Sequence, residues 1–285
     1  MFGILEKRHS RTYRRALSLI ATYVILLCAC ALFVVPYLLA LLASFKQPNQ
    51  IFDGSPFALP HPATFANFIQ LFRQYHFGTF IINTAIVAFA IAIGQVIFCA
   101  MAAYAFARMQ FRGRDVLFYI FLATLLVPGS VTVIPIFLIA KELHLLNSLL
   151  GLIIPYVGSS TFGVFLIRQF FLRIPEDLIN AAKLDGAGSA RILLKIIIPL
   201  SRPVLFTLGI LSFVFGWNNF LWPLIATNSQ GTQVLTVGLA ALQGSYGGQW
   251  NLLITGGVVS LIPLVVLFFV FQRFILSSIQ LTSFR

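Results

Sequence analysis

The chain has 285 residues, of which 59% are hydrophobic and only 9% are charged, and its formal net charge is +12. Soluble domains carry about a quarter charged residues, so this composition excludes an ordinary soluble enzyme and indicates an integral membrane protein. The basic residues stand in short clusters between apolar runs, a pattern of membrane topology that argues against a nucleic-acid-binding surface.

Apolar runs long enough to cross a bilayer recur along the chain. A transmembrane helix needs about 20 predominantly apolar residues. Six runs meet that length, at 17–44, 79–107, 115–140, 147–171, 203–226 and 252–276. They predict an all-α integral membrane protein with one six-helix transmembrane domain over 17–276, between a basic tail at 1–16 and a tail at 277–285.

Lysine and arginine set the predicted orientation. They concentrate in the N-terminal tail, in the connections after the second and fourth spans, and at the C-terminal end. The opposite side holds Lys46, Arg73 and Lys141. Because loops with excess positive charge stay inside, both termini and the polar connection at 174–203 are predicted to be cytoplasmic.

Polar side chains inside apolar spans are costly and often functional. Asn83 and Gln95 lie in the second predicted span, and Trp217, Asn218 and Asn219 lie in the fifth. Amide groups beside aromatic rings suit sugars, whose hydroxyls need hydrogen bonds and whose C–H faces pack on rings. These five residues are candidates for a substrate path. The alternative is that the amides join helices and the tryptophan marks the membrane interface.

The connection at 174–203 is an unusually polar segment in an apolar chain. Pro175, Glu176 and Asp177 favour a helix start, and Gly186 and Gly188 permit a sharp turn that ends it. An apolar periodicity then resumes, and Pro199 and Pro203 predict a kink before the next span. The physics leaves two readings open, a helix that docks on a partner and an amphipathic helix lying among lipid headgroups.

The predicted outer connections differ from this segment. Prolines at 48, 56, 60 and 62 disfavour a continuous helix over 45–78. Residues 227–251 are uncharged and rich in glycine, glutamine, serine and threonine. Such a stretch suits either a packed connector or a surface that hydrogen-bonds a neutral polar partner.

No motif for chemistry accompanies these features. The chain lacks G-x-x-x-x-G-K-[ST], H-E-x-x-H and G-x-S-x-G, so neither ATP binding nor catalytic residues are predicted. The four histidines are scattered, and Cys28, Cys30 and Cys99 are interpreted as small buried hydrophobic side chains, so no metal site is predicted. We expect no cofactor in this chain.

The polar connection resembles the EAA loop of permease subunits in binding-protein-dependent ABC importers. The residues that match it, or stand beside the match, are Glu176, Asp177, Asn180, Ala181, Ala182, Asp185, Gly186 and Ala187, with Ile196 and Pro199 downstream. In that family a short coupling helix here docks on the ATP-hydrolysing subunit. Asn180 stands where the family usually has glutamate, which puts an ion pair with the ATPase in doubt. A compensating pair from Glu176 or Asp177, or an acidic version in the second subunit, are the alternatives.

Further segments extend the resemblance. They are A-A-Y-A-F-A-R at 102–108, F-R-G-R at 111–114, P-G at 128–129, V-I-P at 133–135, L-N-S at 146–148 and W-N-N-F-L-W-P at 217–223. Together they resemble the smaller six-span subunit of the maltose and glycerol-3-phosphate branch. The C-terminal S-S-I-Q-L-T-S-F-R departs from that branch, so contacts made there by relatives are not carried over.

The resemblance implies an ABC importer type I permease fold, with the coupling helix between the fourth and fifth spans. It implies a bacterial inner-membrane importer of a sugar or related polar solute, working by alternating access. The implied partners are a homologous second permease subunit, an ATPase dimer that binds the ATP, an extracytoplasmic solute-binding protein and the lipid bilayer. The rival interpretation is a stand-alone secondary transporter or channel. Against it, the seven acidic residues lie in loops or at span edges, where no gradient-coupling site is evident.

Overall fold

The computed structural model describes residues 2–52, 55–245 and 249–280, with side chains over 17–52, 55–244 and 249–272. Every regular element in these ranges is helical, which confirms the all-α prediction. The α-helices in chain order are α1 (Phe2–Ser44), α2 (Ala66–Gln74), α3 (Phe77–Arg108), α4 (Arg114–Ala123), α5 (Gly129–Glu142), α6 (Leu149–Val157), α7 (Thr161–Phe171), α8 (Glu176–Leu184), α9 (Ser189–Ile192), α10 (Ile198–Leu200), α11 (Arg202–Asn218), α12 (Leu221–Ala226), α13 (Leu235–Ser245) and α14 (Trp250–Gln280). The predicted tail at 277–285 lies outside the described residues from 281 onward.

Three of these helices are long and apolar enough to cross a membrane, at Leu17–Ser44, Phe77–Arg108 and Trp250–Gln272. Three further pairs of consecutive helices are long and apolar enough to cross a membrane when the two helices of a pair are counted as one span. They are Arg114–Leu126 with Gly129–Glu142, Leu149–Val157 with Thr161–Phe171, and Ser189–Leu200 with Arg202–Asn218, bent by 101°, 43° and 82°. By length and composition, the described chain therefore has three spans, or up to six if each bent pair is one span.

Proline explains the sharpest breaks. Pro128 precedes α5 with an extended backbone at the 101° bend. Near the 82° bend, Pro199 and Pro203 stand on either side of Ser201, whose backbone is not helical. Proline lacks an N–H and clashes with the preceding turn, so an uninterrupted helix is disfavoured at both places. The kink that Pro199 and Pro203 predict is confirmed.

The described chain forms two compact units. The first comprises 1–71 and 246–259. In it, the buried Asn67 donates from Nδ2 to the carbonyls of Ser44 and Lys46, each at 2.9 Å, and accepts from Asn251 Nδ2 at 2.9 Å. This amide fixes the proline-rich segment, and it lies on α2, a short helix that the prolines did not predict.

The second unit comprises 72–245 and 260–285. Its central element is α3, which packs most extensively against α11, α7 and α6. A Cβ on Gly216 of α11 would lie 2.9 Å from the Ala88 Cα of α3, so glycine is what allows these two backbones to approach. The second unit is thus organised around one long apolar helix.

Two predictions on local structure are corrected. The stretch 227–251 is not one connector, because α13 occupies Leu235–Ser245. Its sequence L-T-V-G-L-A-A-L-Q-G-S has apolar residues at helical spacing, and the glycines masked that signal. The second correction concerns the cysteines: Cys28 and Cys30 are exposed on α1, whereas Cys99 is buried as predicted. Helix α1 begins at Phe2, so the described backbone of the basic tail is helical.

Candidate functional site

The candidate coupling site is built on α8. Pro175 caps it with extended backbone, and Glu176 and Asp177 occupy its first turn, where carboxylates favour the exposed N–H groups. Ile179 is buried in a cluster that also contains Val164 and Ile167 of α7 and Ala103 of α3. One face of α8 is therefore held against the second unit, and the helix start predicted at Glu176 is confirmed.

The end of α8 explains the A-A-x-x-D-G-A pattern. Gly186 has φ +76°, which an L side chain rarely adopts. The Ala187 N–H donates to the Ala182 carbonyl at 2.9 Å and the Gly186 N–H donates to the Lys183 carbonyl at 3.0 Å. These are the two hydrogen bonds of a Schellman motif. Ala182 and Ala187 pack together against the same core cluster, so small apolar residues are required on both sides of the turn.

Gly188 differs from Gly186. Its φ is −73° with ψ 164°, ordinary extended backbone before α9, and a Cβ there would meet nothing within 4 Å. Of the two glycines that predict the turn, only Gly186 has a left-handed backbone.

The exposed face of α8 presents the remaining predicted residues. Asp177, Asn180, Ala181 and Asp185 are exposed. Leu184, at the C-terminal end of this face, is 90% exposed, and Leu178 near the start of the helix is 46% exposed. Sequence reasoning missed Leu184, although an isolated leucine between Lys183 and Asp185 was a usable signal.

Arg108, the last residue of α3, holds the start of α8 from inside. Its side chain is 7% exposed and its Nη1 lies 3.6 Å from Glu176 Oε1. Its Nη2 donates to the Phe171 carbonyl at 2.5 Å and to the Ile174 carbonyl. Glu176 therefore pairs within the chain, and Arg108 is a second residue that sequence reasoning did not assign to this site.

Beyond the glycine turn, the chain returns through α9 and a π-helical turn at Leu193–Ile197. The Ile198 N–H reaches back five residues to the Leu193 carbonyl, and Pro199 follows at once. Such turns are rare and often stand at functional sites. Ser201 at the bend is fully buried, and its Oγ has no hydrogen-bond partner in the described part of the chain.

Three candidates for the substrate path lie in the interior with their polar atoms paired. Asn83 Nδ2 donates to the carbonyls of Gly231 and Gln233, both at 2.9 Å. Gln95 donates to the Tyr156 carbonyl at 2.9 Å and accepts from Ser212 Oγ at 2.6 Å. Trp217 Nε1 donates to the Ser260 carbonyl at 3.2 Å.

The other two candidates lie at the break between α11 and α12. Asn218 is exposed, and its Nδ2 donates to the Val214 carbonyl of its own helix at 2.9 Å. Asn219 is half-buried. The Phe215 ring, four residues earlier, meets the Tyr156 ring edge to face, with centroids 5.1 Å apart. Two amides thus follow an aromatic pair at the end of α11.

The predicted outer connection at 227–233 is pinned by one side chain. Asn147 Oδ1 accepts from the backbone N–H groups of Asn228 and Ser229 at 3.2 and 3.1 Å. The same oxygen accepts from Ser229 Oγ at 2.9 Å and Thr232 Oγ1 at 2.6 Å. This segment is a packed connector, and Asn147 belongs to the L-N-S motif.

The chain is similar to known transport proteins over most of its length. The family model described as binding-protein-dependent transport system inner membrane component matches residues 95–280. Among known relatives, the sn-glycerol-3-phosphate transport system permease protein UgpE of Yersinia pestis bv. Antiqua (strain Antiqua) is 31% identical over 268 residues, covering 91% of this chain and 95% of the relative. The diacetylchitobiose uptake system permease protein NgcG of Streptomyces coelicolor is 34% identical over 255 residues, covering 88% and 84%.

Two further similarities extend over nearly the whole chain. The arabinooligosaccharides transport system permease protein AraQ of Bacillus subtilis (strain 168) is 32% identical over 279 residues, covering 95% of this chain and 97% of the relative. A chain in the crystal structure of a bacterial ABC transporter involved in the import of the acidic polysaccharide alginate superposes with a TM-score of 0.78 at 26% identity, covering 89% of this chain and 95% of that chain.

Proposed function

The chain belongs to the family of binding-protein-dependent transport system inner membrane components, and from that premise we propose that it is a permease subunit of an ATP-driven ABC importer for a sugar or related polar solute. The relatives named for sn-glycerol-3-phosphate, diacetylchitobiose and arabinooligosaccharides, and the alginate importer, support this solute class. Transport proceeds by alternating access, and a separate ATPase subunit supplies the hydrolysis. The observation that carries the proposal is the structure of α8. One face of this helix packs on the core cluster, and the other face exposes polar side chains in an otherwise apolar chain.

The coupling surface comprises Asp177, Asn180, Ala181, Leu184, Asp185 and Gly186 on or after α8. Ala182 and Ala187 shape the turn beneath it, and Glu176 holds its start through Arg108. Since Glu176 pairs inside the chain, Asp177 or Asp185 is better placed to meet a basic group on the ATPase. Asn180 can contribute a neutral hydrogen bond there. Packing on Leu184 and Ala181 supplies the rest of the affinity.

The proposed topology has six spans over 17–276, with both termini and the coupling loop at 174–203 in the cytoplasm. This topology counts each bent helix pair as one span, so that three long helices and three bent pairs give six spans. The positive-inside rule supplies the orientation. A homologous second permease subunit, the ATPase dimer and an extracytoplasmic solute-binding protein complete the importer in the bacterial inner membrane.

The proposed substrate path passes the break between α11 and α12. Asn218 and Asn219 are the candidates with accessible side chains. Asn83, Gln95 and Trp217 border the path less directly, because their polar atoms already bind carbonyls or Ser212. Their pairing favours a role in holding the helices that surround the path.

The test is reconstitution in proteoliposomes of this chain with its second permease subunit, ATPase and solute-binding protein. Radiolabelled sn-glycerol-3-phosphate, diacetylchitobiose and arabinooligosaccharides serve as separate probes. We expect uptake of at least one probe that requires ATP and the binding protein. A matched assembly without the ATPase is the control.

The same vesicles discriminate the rival function. The chain alone is expected to be inert toward every probe, with or without a proton or sodium gradient. Gradient-driven or passive uptake by the chain alone would establish a secondary transporter or channel and overturn the proposal.

A further inference from the structure

The Arg108 guanidinium links three elements at the base of the coupling site. It belongs to the last residue of α3, it binds the Phe171 carbonyl at the end of α7, and it binds the Ile174 carbonyl one residue before Pro175. It also pairs with Glu176 in the first turn of α8 at 3.6 Å. The whole connection between α7 and α8 therefore lies against the end of α3.

These contacts follow from the chemistry of helix ends. The last carbonyls of a helix have no partner inside it and carry partial negative charge, so a cation there is favourable. A guanidinium offers five N–H donors in a rigid fork, which lets one side chain serve two carbonyls and a carboxylate. An ammonium on a flexible stem cannot reproduce that geometry.

The mechanical consequence concerns α3. This helix packs against α11, α7 and α6, and it carries Asn83 and Gln95, whose hydrogen bonds reach Gly231 and Tyr156. The chain itself connects α8 directly to α7. Without Arg108, a displacement at the start of α8 reaches α3 indirectly, through α7 and through the apolar contacts of the core cluster.

We propose that Arg108 is the positioning residue that makes the start of α8 and the end of α3 move as one body during the transport cycle. The proposal rests on the proposed function, since it requires an ATPase that moves α8. The Glu176 carboxylate lies 3.6 Å from the other arm of the guanidinium, and its side chain is 82% exposed, so this ion pair contributes less than the two hydrogen bonds to carbonyls.

Arg168 provides a matched control. It is another arginine at the same end of the unit, with its Nε donating to the Phe106 carbonyl at 3.2 Å and its guanidinium 4.0 Å above the Phe118 ring. Its side chain joins α7 to α3 and α4 through these two contacts. Substituting it disturbs a similar environment without releasing the start of α8.

The experiment is a spin-label distance measurement in the reconstituted importer. Cys28, Cys30 and Cys99 are replaced, and labels are placed at Lys183→Cys on α8 and Met101→Cys on α3, both exposed. In the parent assembly, the label separation is expected to stay constant between the nucleotide-free state and the state trapped with ATP and vanadate. A third label on the ATPase confirms that the trapped state forms.

In Arg108→Met, the Lys183–Met101 separation is expected to differ between the two states or to broaden in one of them. Stimulation of ATP hydrolysis by the solute-binding protein falls about tenfold, a typical size for coupling between sites. Arg168→Met keeps the constant separation. Glu176→Gln, which removes only the ion pair, gives a smaller change than Arg108→Met.

A constant separation in Arg108→Met would overturn the proposal. It would mean that α8 and α3 still move together without the guanidinium, and that Arg108 only caps the carbonyls at the end of α7. If Arg108→Met does not assemble, Arg108→Lys is measured, because it keeps the charge and loses the fork; an unchanged separation there overturns the proposal as well. Failure of the parent chain to assemble with an ATPase contradicts the proposed function instead, so the two failures are distinct.

Discussion

At the residue scale, the backbone of Gly186 decides the shape of the coupling site. Its left-handed φ of +76° lets the chain reverse after α8 and pair the Ala187 N–H with the Ala182 carbonyl. Gly188 lies two residues away and has no such requirement. Two glycines that look equivalent in sequence therefore differ in function, because only one of them has a conformation that side chains disfavour.

Gly186→Ala is expected to destabilise the end of α8, since a left-handed alanine costs about 1–2 kcal/mol. The Schellman hydrogen bonds loosen, and binding of the ATPase to the permease weakens. Affinity is measured by titrating labelled ATPase onto the permease pair in nanodiscs. Gly188→Ala is the matched control and keeps the parent affinity; equal losses in the two variants contradict the assignment of the turn.

Asn218 is exposed and Asn219 is half-buried at the break between α11 and α12. Replacing both Asn218 and Asn219 by alanine removes the amides from the break between α11 and α12. Transport is expected to fall, because hydroxyl groups of the solute lose partners worth about 1 kcal/mol each. Concentration dependence of uptake checks this, with Asn83→Ala as the comparison. Unchanged affinity and rate would mean that the two amides are structural.

At the scale of the element, α8 has two faces with different roles. Ile179 and Ala182 bind it to the core cluster, while Asp177, Asn180 and Leu184 point away from that cluster and are exposed. Leu184 is 90% exposed at the end of the outer face and offers apolar area to a partner that covers it. These two faces are what the proposed docking of α8 on a partner requires.

Leu184→Ala is expected to weaken ATPase binding by about 2 kcal/mol, the value of burying a leucine side chain. That corresponds to roughly a 30-fold higher dissociation constant. Isothermal titration with the isolated ATPase in the presence of the permease nanodiscs gives the value. Leu178→Ala, where the leucine is less exposed at 46%, is expected to lose less. Parent affinity in Leu184→Ala would instead support the reading in which this leucine enters lipid.

At the scale of the whole molecule, charge distribution and helix length together favour the proposed topology. The 82° bend at Ser201 and the 101° bend at Pro128 turn what would be straight spans into broken ones. Broken helices in membrane proteins expose backbone groups where they line a cavity, and long unbroken helices do not. The unit around α3 thus combines one long unbroken helix with helices that are broken at proline.

Single cysteines test the topology in cells from which the native cysteines have been removed. Lys183→Cys on α8 is predicted to be cytoplasmic, and Gln230→Cys in the connection held by Asn147 is predicted to be outside. A membrane-impermeant maleimide is expected to label Gln230→Cys in intact spheroplasts and Lys183→Cys only after inversion of the membrane. The reverse labelling pattern would contradict the positive-inside assignment for this chain.

Much of the fold was predictable because apolar length and proline position are local properties. Five of the six predicted runs match a long helix or a bent pair, whereas the run at 203–226 is divided between α11 and α12. The start of α8 at Glu176 and the kink near Pro199 and Pro203 were predicted as found. The helix α13 was missed because its apolar face is interrupted by glycine, and α2 was missed because prolines dominate its neighbourhood.

The sequence by itself determined membrane residence, helix content, the family and the position of the polar connection, since each depends on composition or on a contiguous motif. Only the tertiary structure decided which polar side chains are already paired. Gln95 meets Ser212 and Tyr156, and Arg108 meets Glu176 and the end of α7, across long separations in sequence. Long-range partners are set by helix packing, which no local pattern encodes, and for that reason the contacts of Arg108 emerged only from the folded chain.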